Sequence, residues 1–161
     1  MSTIRLQRRT ALTPEQYIAG LIDFGPGRSK IFPNSTGAYL RVHSRGRWQA
    51  DVTEGSNGIW ERLDYDWVDP AHVVLTTIDS NVWGGASGHD YRFTRRPDGL
   101  TDIEVTIIRE GKNLKGWILG LVLGTVGRKV LEKAFETSVA AIEALEFNSS
   151  KVARNAVPQE F

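Results

Sequence analysis

The sequence predicts an α+β fold, in which a curved antiparallel sheet of about seven strands wraps around one long C-terminal helix. A strand-like run that begins at Ile4 precedes a helix start at Thr13, and one or two short helices fit after the first strand. Six β-rich runs joined by short turns then fill residues 38–110, which favours an antiparallel meander over alternating strands and helices. Residues 113–147 have the spacing of a single long helix.

The first helix has a marked beginning and end. Thr13 suits the N-cap, Pro14 suits the first helical position, and Gln16 stands where it can complete a capping box. Residues 25–27, Gly-Pro-Gly, end the helix. Residues 28–33 form at most a second short helix, because Pro33 ends it.

The six later runs are separated by residues that favour turns. The breaks lie at Gly46, residues 55–58, residues 69–70, residues 84–85 and residues 97–99. A sheet of this size must bury its concave face, and the C-terminal helix is the only other element large enough to cover it. The sequence therefore predicts one domain over residues 1–147, followed by a flexible tail over residues 148–161.

Composition and charge exclude several classes of function. The 20 Lys and Arg nearly balance the 19 Asp and Glu, so there is no electrostatic footprint for nucleic acid. There is no cysteine, which excludes disulfides, thiolate metal sites and cysteine nucleophiles. The three histidines lie on separate segments without metal-ligand spacing, so we expect no metal site. No phosphate-cradling loop or dinucleotide motif is present, and we expect no cofactor.

The apolar segments predict a cytoplasmic protein without stable membrane insertion. The first twelve residues are basic but lack the apolar stretch of a secretory signal. The longest apolar run, residues 116–127, is about half of the ~20 residues that a membrane-spanning helix needs.

Besides the order of elements, four stretches are informative: TPEQYIAGLIDF, WERLDYDWVDPAHVVLTTIDSNVWGG, SGHDYRF and GWILGLVLGTVGRKVLEKAFETSVAAIEAL. Together they resemble the SRPBCC superfamily, which has the helix-grip fold and includes START lipid-binding domains, the birch-pollen-allergen family and polyketide cyclases. The resemblance covers residues 3–147. It is closest to the polyketide-cyclase-like, lipid-transport branch of actinobacteria. It implies a cavity between sheet and helix for an apolar or aromatic small molecule, and it carries no shared catalytic signature.

The alternation of side chains along the strands predicts which residues face that cavity. The inward set is mostly apolar, with a few polar residues and with Trp83 at a flexible turn. The predicted ligand-binding residues are Trp48, Glu61, Tyr65, Asp79, Trp83, His89, Tyr91 and Arg109.

Several of these residues allow two interpretations. His89 is the best candidate for a catalytic acid or base, or it is a hairpin histidine near the rim. An inward Glu61 needs a partner such as His89 or Arg109, because a lone buried carboxylate costs several kcal/mol. Alternatively, a local bulge turns Glu61 outward. Asp79 lies inward by alternation, or it serves the turn chemistry of the segment that follows.

The aromatic residues and the basic residues near the entrance also allow two interpretations each. Trp83 is either a lid over the cavity mouth or a side chain packed on the first half of the long helix. Tyr65 and Tyr91 either donate hydroxyls into the cavity or belong to the aromatic core. Arg28 and Lys30 either face an acidic ligand at the entrance or are solvated.

Gly116, Gly120 and Gly124 recur every four residues and so form one smooth face of the long helix. Each glycine costs about 1 kcal/mol relative to alanine in a helix, so three on one face imply close approach of another group. That group is the sheet, a ligand or a second copy of the chain in a homodimer.

Three functions follow from these observations. The first is binding of a lipid- or polyketide-like small molecule in the cavity. The second is a cyclase or dehydratase that uses the same cavity, with His89 moving protons. The third, supported least, is a protein-interaction module.

Overall fold

A computed structural model describes residues 1–156. The strands are β1 Ser2–Thr10, β2 Arg41–Arg45, β3 Gln49–Ser56, β4 Ile59–Asp69, β5 His72–Ser80, β6 Trp83–Arg95 and β7 Thr101–Gly111. The helices are α1 Pro14–Leu21 and α2 Arg28–Ile31, between β1 and β2, and α3 Leu114–Thr125 and α4 Gly127–Asn155, after β7.

The strands form one seven-stranded antiparallel sheet in the order β1-β7-β6-β5-β4-β3-β2. Strands β2 to β7 follow each other as a meander, and β1 pairs with β7, from Ser2 opposite Arg109 to Thr10 opposite Thr101. The helices α1 and α2 therefore carry the chain from one edge of the sheet to the other. The predicted helix-grip architecture is confirmed.

Helix α1 begins as predicted. The Thr13 hydroxyl accepts a hydrogen bond from the Gln16 backbone N–H at 3.1 Å, and the Gln16 side chain accepts one from the Thr13 N–H at 2.9 Å. This capping box satisfies two N–H groups that the first turn leaves without helical partners. It fixes α1 at the point where the chain leaves β1.

The core lies between one face of the sheet and the helices. Alternate residues of the strands point into it, such as Leu63 and Tyr65 in β4 and Ile103 and Val105 in β7, all at most 2% exposed. Three residues of α4 close the core from the other side. They are Phe135, Val139 and Ile142.

The C-terminal helix is broken once, where the sequence predicts a single rod from residue 113. Helix α3 ends at Thr125 and α4 begins at Gly127. The Thr125 hydroxyl donates to the carbonyl oxygens of Leu121 and Val122 at 3.0 and 3.2 Å, and such back-bonding bends helices. A Cβ on Gly127 would lie 2.8 Å from Leu123 Cδ2, so the absence of a side chain permits the bend.

Helix α4 also extends further than predicted. The flexible tail is expected from residue 148, but residues 148–155 are helical. No glycine or proline interrupts residues 148–157, so nothing in the sequence stops the helix there. Residues 157–161 of the predicted tail lie outside the described residues.

None of the helices within residues 1–156 is both long and apolar enough to cross a membrane.

Candidate functional site

A cavity of about 380 Å³ lies between the sheet and the helices. For comparison, an apolar cavity of about 150 Å³ holds a benzene molecule. Its walls are mostly aliphatic and aromatic side chains from the strands and from α1, α3 and α4. The apolar lining residues include Leu6, Leu21, Phe32, Leu63, Leu75, Val105, Ile107, Leu123, Leu131 and Phe135.

The most exposed lining residues mark the cavity mouth. They are Pro33 and Asn34, between α2 and β2, and Asn57, in the turn between β3 and β4. Asn57 and Gly58 both have positive φ, 52° and 78°, which is the two-residue hairpin turn that Asn-Gly favours. The mouth is therefore at the β3–β4 hairpin, whereas the sequence places Trp83 over it as one alternative.

Four polar residues form a cluster on the sheet wall, which we call the Arg109 cluster: Glu61, Thr77, His89 and Arg109. Arg109 donates from Nη1 and Nη2 to the two carboxylate oxygens of Glu61, each at 3.0 Å. Thr77 Oγ1 donates to Glu61 Oε2 at 3.0 Å, and Arg109 Nη2 donates to His89 Nε2 at 3.1 Å. The partner that an inward Glu61 requires is therefore Arg109.

The arrangement of the Arg109 cluster follows from strand register. His89 lies opposite Ile107 in the β6–β7 pairing, so Arg109, two residues further on, faces the same side of the sheet. The Arg109 and Glu61 side chains are only 10% and 14% exposed, so each compensates the charge of the other in a largely dry wall. The Arg109 guanidinium also lies 5.3 Å from the ring centre of Trp83.

The hydrogen bond from Arg109 fixes the tautomer of His89. A guanidinium can only donate, so Nε2 is the acceptor and Nδ1 carries the proton. Nδ1 is buried and has no hydrogen-bond partner among residues 1–156. Burial, followed by the nearby Arg109 cation, lowers the pKa of His89 to about 3. The imidazole is therefore neutral at pH 7 and presents one donor without an acceptor.

A second cluster lies in the cavity wall, and we call it the Arg28 cluster: Arg28, Ser35, Glu54 and Tyr65. Glu54 accepts from Arg28 Nε at 2.5 Å and from Ser35 Oγ at 2.6 Å, and Tyr65 Oη donates to its other oxygen. Arg28 Nη2 donates to Tyr65 Oη at 3.1 Å. Burial, and then the adjacent Glu54 carboxylate, raise the pKa of Tyr65 well above its usual value.

The Arg28 guanidinium is held from every side. Its Nη1 donates to the carbonyl oxygens of Leu21 and Asp23 at 2.9 and 2.8 Å, at the end of α1. The rings of Phe24 and Phe32 lie 4.7 and 4.8 Å away. Arg28 is 4% exposed and lines the cavity, so it is not the solvated side chain that the sequence allowed, whereas Lys30 is exposed.

Sequence reasoning also missed Glu54, although a signal was present. The inward alternation of β3 runs through Ala50 and Val52, and the next inward position is Glu54. All three are buried. A buried carboxylate at that position requires a cation, and Arg28 supplies it from 26 residues away in the sequence.

Two further tyrosines line the cavity, Tyr17 in α1 and Tyr91 in β6. Their ring centres are 6.0 Å apart. Burial raises the pKa of Tyr91 to about 12 and that of Tyr17 well above its usual value. Tyr17 Oη is buried and has no hydrogen-bond partner in the part of the chain that the structure describes. Both phenols therefore stay protonated at neutral pH.

Two predicted site residues lie away from the cavity. Trp48 is 47% exposed, because β3 begins only at Gln49 and strand alternation does not reach it. It stacks instead with Arg47, 4.9 Å from its ring centre. Asp79 points outward and meets Lys112 at 3.4 Å.

The alternation of β5 predicted that Asp79 faces inward, and a bulge in this strand turns it outward. Leu63 lies opposite Thr77, but Arg62 lies opposite Asp79, so Ile78 is an extra residue in β5. The alternation shifts at that point. Thr77 and Ser80 are buried, whereas Asp79 is exposed.

Trp83 and the glycine face of α3 both lie where α3 meets the sheet. Trp83 is 5% exposed and forms part of the cavity wall rather than a lid. A Cβ on Gly116 would overlap the Val82 carbonyl oxygen, and a Cβ on Gly120 would lie 4.0 Å from Trp83 Cζ3. Ser2 Oγ donates to the Gly120 carbonyl at 2.6 Å. The smooth face of α3 therefore packs on the sheet at Gly116 and Gly120, whereas Gly124 at its end is exposed.

The titratable residues within residues 1–156 form no group of three that could hold a metal ion. Each of the two polar clusters contains one arginine and one carboxylate. The cavity thus has apolar walls, two internally neutralised ion pairs, and phenol and imidazole donors.

No family model matches the sequence, and no curated protein matches it. Solved structures do match the fold. The protein TTHA0849 from Thermus thermophilus has a TM-score of 0.68 and 13% identity, over 89% of this chain and 98% of that one. A START superfamily protein from Mycobacterium smegmatis has a TM-score of 0.63 and 13% identity, over 89% and 96%.

The Zhui aromatase/cyclase from Streptomyces sp. R1128 has a TM-score of 0.61 and 13% identity, over 87% of this chain and 90% of that one. The expected resemblance to START and polyketide-cyclase proteins is thus found as a likeness of structure. At these identities the likeness concerns the fold alone, and the chain has the helix-grip fold of START and aromatase/cyclase proteins.

Proposed function

We propose that the protein binds a neutral, largely apolar or aromatic small molecule, lipid- or polyketide-like, in the cavity between the sheet and the C-terminal helices. The observation that carries this proposal is the cavity itself, about 380 Å³ with mostly apolar walls. This volume is within the range of ligand pockets in proteins, about 300–1,000 Å³. Apolar contact would supply most of the affinity, at about 25 cal/mol per Å² of buried apolar area.

The polar clusters support a neutral ligand over a charged one. The Arg109 guanidinium already binds both oxygens of Glu61, and the Arg28 guanidinium already binds Glu54. A ligand carboxylate or phosphate would have to displace one of these carboxylates and leave it buried without a partner. That exchange costs several kcal/mol, so uncharged ligands are favoured.

The donor on His89 indicates which polar group the ligand carries. Nδ1–H has no acceptor in the described residues, and a buried donor without a partner costs about 1–3 kcal/mol. A ligand carbonyl that reached this edge of the imidazole would accept that hydrogen bond. Tyr91 lies in the same sheet wall and Tyr17 lines the cavity from α1, so their phenols would suit further ligand oxygens.

A cyclase or dehydratase is supported less well. An aromatase/cyclase shares the fold, and that likeness favours an enzyme that would use His89 as acid or base. However, the pKa of His89 is about 3, far from neutral pH, and its acceptor nitrogen is already bound by Arg109. Both features disfavour proton transfer by this side chain, because an efficient acid or base has a pKa near the working pH.

The proposal is tested by calorimetric titration with 2-acetylnaphthalene and with naphthalene, which lacks the carbonyl. We expect both probes to bind, the carbonyl compound more tightly. The preference for the carbonyl should disappear in His89→Phe, which keeps an aromatic ring but removes Nδ1–H. If neither probe binds, or if the preference is unchanged in His89→Phe, the proposal in its present form is wrong.

A pair of alanines in α4 provides the matched control. Ala134 lines the cavity, and Ala140 is exposed on the same helix. Ala134→Trp fills part of the cavity and should weaken probe binding at least about tenfold, which corresponds to about 1.4 kcal/mol. Ala140→Trp adds the same side chain outside the cavity and should leave binding unchanged. Equal binding by both variants would place the probe outside the cavity.

A further inference from the structure

The outward face of α3 is a stripe of large apolar side chains, which we call the α3 stripe: Leu114, Trp117, Ile118, Leu121 and Val122. Their spacing of three and four residues places them on one side of the helix. Each is between 49% and 73% exposed. A contiguous exposed apolar patch of this kind marks a surface that contacts something outside the chain.

The stripe is not a misplaced part of the core. A surface helix usually turns its large apolar residues inward and its polar residues outward. In α3 the buried positions are Gly116 and Gly120, and a Cβ on Gly116 would already overlap the Val82 carbonyl oxygen. Because glycine provides the close contact with the sheet, the large apolar residues face out and serve another purpose.

The charges around the stripe identify the chemistry of its partner. The segment from Gly111 to Leu131 contains Lys112, Lys115, Arg128 and Lys129 but no Asp or Glu. All four cations are exposed, and one of them, Lys112, meets Asp79 at 3.4 Å. The whole chain has a net charge of only +1, so this segment is a local concentration of positive charge. An apolar face with a tryptophan and flanking cations is typical of a helix that lies in the surface of an anionic membrane.

The dimensions fit a helix that lies on a bilayer rather than one that spans it. Helix α3 has 12 residues, which gives a length of about 18 Å, against about 30 Å for the hydrocarbon core. A symmetric homodimer through the stripe is disfavoured, because it would bring the two sets of four cations together. The same cations are complementary to anionic headgroups.

We propose that α3 docks this protein on an anionic membrane surface. The side chains of Trp117, Ile118 and Leu121 enter the boundary between headgroups and acyl chains, and Lys115 with its basic neighbours contacts lipid phosphates. This docking does not depend on the ligand proposed for the cavity. It would place Leu123, which lines the cavity from α3, beside the bilayer.

The test is sedimentation of the protein with vesicles made of phosphatidylcholine and phosphatidylglycerol in equal parts. We expect binding that weakens as salt is raised, and much weaker binding to pure phosphatidylcholine. The double variant Trp117→Glu/Leu121→Glu should lose at least about tenfold in partitioning, because two apolar anchors are replaced by charges that the anionic surface repels. Thermal unfolding checks that the variant is folded.

The matched control changes two equally exposed apolar residues elsewhere. Val68 and Phe147 are 65% and 64% exposed, and Val68→Glu/Phe147→Glu adds the same charge. This control should lose much less vesicle binding than the α3 variant. The proposal is overturned if the wild type does not bind, if both double variants bind alike, or if the stripe instead mediates self-association that ultracentrifugation detects without lipid and Trp117→Glu/Leu121→Glu abolishes.

Discussion

Glu54 is the residue on which the Arg28 cluster depends. It accepts hydrogen bonds from Arg28, Ser35 and Tyr65, and it is 7% exposed. Glu54→Gln would leave the Arg28 guanidinium buried without a compensating charge. We expect a loss of about 3–5 kcal/mol in the free energy of unfolding, measured by urea denaturation at pH 7.

Asp51 offers a control on the same strand. It pairs with Arg62 through two hydrogen bonds of 2.8 and 2.6 Å, but this pair lies at the surface. Water screens such pairs, so Asp51→Asn should change the free energy of unfolding far less than Glu54→Gln. Equal effects of the two substitutions would show that Glu54 is not buried against Arg28.

His89 should make stability depend on pH in a defined window. Its pKa is about 3 in the folded protein and about 6.5 in the unfolded chain, where imidazole is free. Between these values the unfolded chain binds a proton that the folded protein does not. The stabilising contribution is therefore complete above pH ~6.5 and is lost as pH falls toward 3, by at most about 1.4 kcal/mol per pH unit.

The variant His89→Gln isolates this effect, because glutamine keeps an acceptor for Arg109 and does not titrate. Urea denaturation between pH 7 and pH 5, above the range where most carboxylates titrate, should show a steeper loss of stability for the wild type than for the variant. If the free energy of unfolding falls equally with pH in the wild type and in the variant, His89 is accessible to protons in the folded state.

Within α3, two glycines of the same face should respond oppositely to alanine. A Cβ at Gly116 would overlap the Val82 carbonyl oxygen, so Gly116→Ala must push the helix off the sheet, at a cost of about 1–3 kcal/mol. A Cβ at Gly120 would meet Ser2 Oγ at 3.8 Å, an ordinary contact. Gly120→Ala should stabilise by up to about 1 kcal/mol through helix propensity.

Thermal and urea unfolding of the two variants provide the measurement. The opposite signs distinguish close packing of α3 on the sheet from a general effect of glycine on helix flexibility. If both variants are stabilised to the same extent, α3 does not lie against Val82 as described.

The elements themselves could be predicted largely from local patterns. The capping box at Thr13, the strand runs and the apolar stripe of α4 depend on neighbours a few residues apart, which a sequence displays directly. The errors occur where a local irregularity interrupts a pattern. The bulge at Ile78 turns Asp79 outward, and the bend at residues 125–127 divides the C-terminal helix.

For the whole molecule, the alternation of the strands predicted most of the cavity wall, and Arg109 was one of the two partners expected for Glu61, but the Arg28 cluster was not predicted. Glu61, Tyr65, His89, Tyr91 and Arg109 do face the cavity. The Arg28 cluster was missed because its members come from α2, the loop after α2, and two strands. Only the folded chain brings them together, and no spacing within the sequence encodes that contact.

The central claim is that an apolar molecule occupies the space between the sheet and the C-terminal helices. The most direct measurement is an NMR titration of the isotope-labelled protein with 2-acetylnaphthalene. We expect the shift changes to concentrate on lining residues such as Leu75, Tyr91, Val105 and Phe135, and to be absent from exposed strand residues such as Val68. Shift changes confined to the exposed surface, or none at saturating probe, would contradict it.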